Sequence, residues 1–142
     1  MILREDHDMA RDVEPSAMSN YGDTFAEALE LFLDNVMGLV SNPETGAVNR
    51  SARFQAEASS LPELARSAFD AVTALADAFE LAVTHVAVDG YRSIEGGHRS
   101  WGTVELAPRA DSNDWLEIVD GPNVSRDADD GRWRIDVWFV GN

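Results

Sequence analysis

GDTFAEALELFLDNVMGLVSNP, residues 22–43, sets how the rest of the chain is read. Thr24 and Glu27 have the spacing of a capping box, in which a hydroxyl and a carboxylate satisfy the free N–H groups of a helix start. Phe25, Leu29, Phe32, Val36 and Leu39 then recur at helical spacing, so one face is apolar. Asn42 and Pro43 stop the pattern. A second stretch, SLPELARSAFDAVTALADAFEL at 60–81, repeats the design. Ser60 and Glu63 form its capping box, and Leu61, Leu64, Ala68, Phe69, Val72, Leu75 and Phe79 form its stripe.

Between these helices the period changes. In AVNRSARFQAEA, residues 47–58, the apolar Val48, Ala52, Phe54 and Ala56 fall on even positions with polar partners between them. That alternation predicts a strand with one buried face. Four more segments, 82–89, 100–106, 115–119 and 133–140, are rich in β-branched and aromatic residues. Glu95-Gly96-Gly97 and Asp129-Asp130-Gly131 punctuate them as turns. The predicted fold is α+β: two helices packed on one face of a mainly antiparallel sheet, in the order strand-helix-strand-helix and then three or four strands. Residues 21–142 read as a single α+β domain. Residues 1–20 read as a mobile acidic segment or, around Ser16 to Tyr21, an edge strand.

Charge narrows the function classes. Twenty-six acids face eleven basic residues, for a net charge of -15, and every basic residue is arginine. So acidic a surface repels itself in dilute salt, and salt screens that repulsion, so the composition predicts adaptation to high salt. It argues against direct binding to a nucleic-acid backbone, which relies on lysine and arginine meeting phosphates. There is no cysteine, so disulfides, thiolate metal sites and cysteine nucleophiles are excluded. No apolar run reaches the roughly 18 residues of a membrane helix. The start, MILREDHDMARD, lacks the apolar core of a signal peptide. A soluble, cytoplasmic protein is expected.

Catalytic signals are weak. His7, His85 and His98 are far apart, and none has another histidine three or four residues on. His85 reads as a mid-strand residue without a special role, and His98 as a solvated turn residue. No serine has a nucleophile-elbow context, and no glycine-rich loop with lysine can cradle a phosphate. DADDG at 127–131 lacks the later glutamate of a calcium loop and reads as a hairpin turn. EDHDMARDV at 5–13 gathers acids; with Glu14, the residues Glu5, Asp6, Asp8 and Asp12 offer hard oxygen ligands suited to calcium or magnesium, or form a solvated tail. In the last strand, Trp133, Ile135, Val137 and Phe139 should face the helices, which puts Trp138 on the open face. Trp138, Trp101 and Trp115 are the candidate contacts for a partner.

Several of these pieces together resemble archease, the small acidic protein family that activates the tRNA-splicing RNA ligase. The resembling pieces are Asp6-His7 and Asp12-Val13, then Tyr21-Gly22-Asp23-Thr24-Phe25-Ala26-Glu27-Ala28-Leu29 leading into a capped helix. Ser60-Leu61-Pro62-Glu63-Leu64 is similar to the start of the family's second helix, and Asp130-Gly131-Arg132-Trp133-Arg134-Ile135 to its last hairpin. The chain departs from the pattern in a longer spacing from Asp12 to Gly22. It also lacks the family's final aspartate, ending Phe139-Val140-Gly141-Asn142. The resemblance implies a non-enzymatic accessory protein that binds an RNA ligase, with a divalent cation organising the contact. It implies Asp12, or else Asp6, as the first-strand ligand, with Asp136 or the terminal carboxylate of Asn142 in place of the missing aspartate. The competing reading is a metal-free interaction module that meets a partner or further copies of itself, as a virion or other assembly component would. A small hydrolase is a third reading, without a nameable acid–base pair.

Overall fold

The computed structural model describes residues 15–40, 50–110 and 116–141. In chain order they form β1 (Ser16–Gly22), α1 (Phe25–Val40), β2 (Arg50–Ala58), α2 (Leu61–Phe79), β3 (Leu81–Ile94), β4 (Gly97–Pro108), β5 (Leu116–Arg126) and β6 (Trp133–Gly141). This is the α+β class in the predicted order, with four strands after the second helix. β1 pairs with β6 from Ser16 to Gly22, as the edge-strand reading expects.

The strands divide into two antiparallel sheets, ordered β1-β6-β5 and β2-β4-β3. Each helix packs against both: α1 lies on β3, β1 and β6, and α2 on β2, β5 and β4. The division has a chemical cause at α1. β3 and β1 are edge strands, and an edge strand presents unpaired N–H groups that would otherwise recruit another strand. Here the Val86 N–H donates to Asp34 Oδ1 (2.9 Å) and the Val88 N–H to Glu30 Oε1 (2.7 Å). Two carboxylates one helical turn apart thus occupy the β3 edge. On the β1 side, Asn35 Nδ2 donates to the buried Asn20 Oδ1 at 2.8 Å.

A helix set against two sheets buries a wide arc. On α1 the buried positions are Phe25, Ala28, Leu29, Phe32, Leu33, Val36 and Met37. The expected stripe is therefore widened, and its last member, Leu39, is 45% exposed. α2 buries Leu64, Ala65, Ala68, Val72 and Ala76, while Phe79 emerges at its end beneath the Arg50 guanidinium, 4.4 Å from the ring centroid. Val86, Val104 and Leu106 from one sheet and Ile135 and Val137 from the other complete a single core. Phe25 pins the sheets together, with its ring edge-on to Tyr91 of β3 (4.9 Å) and to Trp133 of β6 (5.7 Å).

The capping box of α1 forms in full and that of α2 by half, its carboxylate taking hydroxyls in place of the backbone N–H. The Glu27 N–H donates to Thr24 Oγ1 (3.1 Å), and Glu27 Oε1 accepts from the Asp23 and Thr24 N–H groups. At α2 the Glu63 N–H donates to Ser60 Oγ, and the Glu63 carboxylate accepts from the Ser59 and Ser60 hydroxyls. Those hydroxyl bonds, Ser59 first, hold the Glu63 pKa below its ordinary value. A depressed carboxylate pKa gives stability that is present above the unfolded-state pKa and is lost as pH falls through the folded one. Glu63→Gln should therefore lower the melting temperature most at neutral pH, with the difference from the natural chain closing in acid.

α2 ends without a basic residue in its last turn. Arg109, beyond β4, supplies the cation: its guanidinium donates to the Ala76 carbonyl (3.3 Å), Asp77 Oδ1 (3.2 Å) and the Leu81 carbonyl (3.1 Å). The helix closes on Glu80 in a left-handed conformation, φ 56. A side chain with a Cβ is strained there and glycine is not. Glu80→Gly should raise stability by about 1 kcal/mol, measurable as a higher urea midpoint.

Candidate functional site

The geometry leaves two sheet faces turned outward, and the aromatic residues named from sequence fall on both. On the β1-β6-β5 sheet, β6 alternates as predicted. Ile135 and Val137 are buried, Trp133 and Phe139 pack on the core, and Arg134, Asp136 and Trp138 lie on the other face. Trp138 is half-buried there, opposite Ala17 on β1 and Asp120 on β5. Tyr21, 41% exposed, is the centre of a cationic cluster on that face. The Arg132 and Arg134 guanidinium groups stand 5.2 and 5.8 Å from its ring centroid, within cation–π range. Arg132 also reaches Asp23 at 4.0 Å.

Asp136, the proposed stand-in metal ligand, is engaged through one oxygen. Its Oδ1 accepts from Ser19 Oγ (2.6 Å) and Arg134 Nε (2.8 Å). The same hydrogen bond, with the charge of Asp136, raises the Arg134 pKa. The Ser19 and Arg134 bonds are both to Oδ1, so a cation at Asp136 would have to take the other carboxylate oxygen, beside a guanidinium. Among the described residues no cluster of three or more His, Asp or Glu side chains could hold a metal ion. Asp6, Asp12 and Asn142 lie outside the described residues, as does Trp115.

The second face belongs to β2-β4-β3. Trp101 stands on the central strand, opposite Gln55 on β2 and Gly90 on β3. Its indole lies over the Gly90 backbone: a Cβ at Gly90 would come within 2.6 Å of Cε2 and collide with the six-membered ring. Gly90 thus seats the ring against the sheet, half-buried. Arg53 and Arg92 flank it, without an ion pair or side-chain hydrogen bond to other described residues. Arg99 pairs with Glu57 (2.8 Å), and Asp89 accepts from Thr103 Oγ1 (3.0 Å). Arg92 and Arg99 are direct cross-strand neighbours.

His85 and His98 are more engaged than the sequence suggests; His7 lies outside the described residues. His85 Nδ1 is 3.0 Å from Asp34 Oδ1, beside the capped β3 edge. His98, expected in solvent, turns to the core side of β4. Its Nδ1 is 2.7 Å from the Tyr91 hydroxyl, and the rings stack at 5.8 Å. Ser100, directly opposite Tyr91, is fully buried, and its hydroxyl has no partner among the described residues. DADDG forms the β5–β6 turn as read from sequence. Asp127 Oδ1 accepts from the Asp129 and Asp130 N–H groups, and Gly131 takes φ 72.

Sequence reasoning found Trp101 and Trp138 but missed the arginines around them. The signal was there at spacing two: Arg99 with Trp101, and Arg134 with Trp138 two steps on, share a face wherever the strand reading holds. No protein-family model matches this chain, and no curated protein matches it.

Proposed function

We propose that the chain is an archease-like accessory protein, which binds and activates an RNA ligase in tRNA splicing and performs no chemistry of its own. One observation supports this reading above the others. The resembling pieces among the described residues occupy coherent structural places: Tyr21-Gly22 leads from β1 into the capped start of α1, Ser60 to Leu64 opens α2, and Asp130-Gly131 turns into β6. The contact we assign to the ligase is the outer face of β1-β6-β5, where Tyr21, Arg132, Arg134 and Trp138 gather. Tyrosine, tryptophan and arginine are the residue types that dominate binding energy at protein interfaces.

The cation takes second place in this reading. Calcium or magnesium would fall to Asp12, or else Asp6, with Asp136 through its second carboxylate oxygen or the terminal carboxylate of Asn142, since Ser19 and Arg134 hold Asp136 by Oδ1. Multiple-turnover ligation by the RNA ligase of the same source, with and without this chain, is the test. The chain should raise turnover, and Arg132→Ala with Trp138→Ala should weaken that rise. Unchanged turnover with the chain in molar excess overturns the reading. Thermal unfolding in molar potassium chloride tests the cation: a site filled at 100 times its dissociation constant adds about 2.7 kcal/mol. Asp12→Asn should abolish that rise.

A further inference from the structure

We infer that the outer face of the β2-β4-β3 sheet is a self-complementary surface that joins two copies of this chain. The inference rests on charge, and it goes beyond the ligase reading. Three arginines lie on this face, Arg53, Arg92 and Arg99, against three acids, Glu57, Asp89 and Glu105. The face is therefore neutral on a chain that carries -15 overall. Two copies with that net charge repel as whole bodies, but this face adds nothing to the repulsion.

The pattern also matches itself under rotation. In the row of Thr103, Arg53 stands on β2 and Asp89 on the β3 side, bonded to Thr103. In the row of Arg99, the order reverses, with Glu57 on β2 and Arg92 on β3. A two-fold axis along β4 exchanges the β2 and β3 sides while keeping the rows. It places Arg53 opposite the partner's Asp89 and Arg92 opposite the partner's Glu57. Trp101, on the central strand, meets the partner's Trp101. An isologous interface requires such reciprocity, and a central aromatic with a polar rim is ordinary interface anatomy. The arrangement also gives partners to Arg53 and Arg92, which have no ion pair or side-chain hydrogen bond among the described residues, and it offsets the like-charge pair of Arg92 and Arg99, costly when unmet.

Sedimentation equilibrium tests this on the full chain at 0.1 and 1 M potassium chloride. The expected species has twice the 15.6 kDa mass of one chain. Its share should rise with salt, because the screening length falls from about 10 Å to about 3 Å and removes the repulsion between the acidic bodies. Arg53→Asp should give a monomer that melts like the natural chain. Arg53→Asp with Asp89→Arg should restore the dimer, since the swapped charges meet again across the axis. A monomer in both salts overturns the inference, as does a dimer indifferent to Arg53→Asp or a swap that restores nothing. A monomer whose Trp101 indole resonance shifts when residues 1–14 are removed gives the face to that acidic segment, and one that shifts with a single-stranded oligonucleotide gives it to RNA. Either overturns the dimer. Ligase turnover with the Arg53→Asp monomer keeps this outcome separate from the proposed function.

Discussion

Replacing Glu30 and Asp34 together by alanine will destabilise the protein by about 2–4 kcal/mol, at about 1–2 kcal/mol for each abandoned N–H group. Each carboxylate gives one β3 N–H its acceptor, at Val88 and Val86, and Val86 is fully buried. The backbone cannot find a new acceptor there, because β4 takes only the other edge of β3. Glu30→Gln with Asp34→Asn keeps an oxygen at each place and should lose about 1 kcal/mol at most, a charged acceptor being exchanged for a neutral one. Urea unfolding of the natural chain and both pairs, in molar salt, decides the matter. Equal losses for the alanine and amide pairs would mean that water serves those N–H groups, and α1 would then not be what keeps the two sheets apart. The alanine pair should also aggregate more readily, since an uncapped edge strand is open to pairing.

These two acids mark where sequence reading stops. The helices were legible because their signals are local: Thr24 with Glu27 and Ser60 with Glu63 lie three residues apart, and each pair caps its helix. The inner and outer faces of β2 and β6 were legible for the same reason, from alternation alone. The split into two sheets was not, because it depends on Glu30 and Asp34 meeting Val88 and Val86 across more than fifty residues. In the sequence they are two more acids among twenty-six. The same holds for Asp136. Its sequence neighbours do not show that the pairing of β1 with β6 sets Ser19 directly opposite it. Trp101 and Trp138 could be named as surface aromatics because tryptophan is conspicuous. Their surroundings were legible only in part: Arg99 and Arg134 share their strands, but Arg53 and Arg92 come from neighbouring strands whose register the sequence does not show. Acidic patterning hid more than it revealed, because capping, edge protection and salt tolerance all draw on the same residue types.

Gly22→Ala will cost about 2–3 kcal/mol, and Gly22→Val more, because the space a Cβ needs is taken by helix backbone. A Cβ at Gly22 would lie 2.5 Å from the Ala28 nitrogen and 2.9 Å from the Glu27 carbonyl carbon. Neither atom can step aside without moving the first turn of α1. That turn carries the Thr24–Glu27 box, and Phe25 within it bridges Tyr91 and Trp133, so the strain reaches both sheets. Gly38 on the same helix is the control. Nothing stands within 4 Å of its Cβ position, so Gly38→Ala should stabilise by about 1 kcal/mol through helix propensity alone. Opposite signs from two glycines 16 positions apart, read in one urea series, would assign the Gly22 effect to close approach rather than to glycine chemistry in general. Hydrogen exchange adds a second reading: the Asp23 N–H, held by Glu27 Oε1 at 2.9 Å, should lose protection in Gly22→Ala and keep it in Gly38→Ala. The Tyr21-Gly22 pair then has a packing cause, the seating of β1 against a capped helix. That part of the archease resemblance would follow from the fold, which leaves Tyr21, Arg132, Arg134 and Trp138 as the residues on which any difference in partner must act.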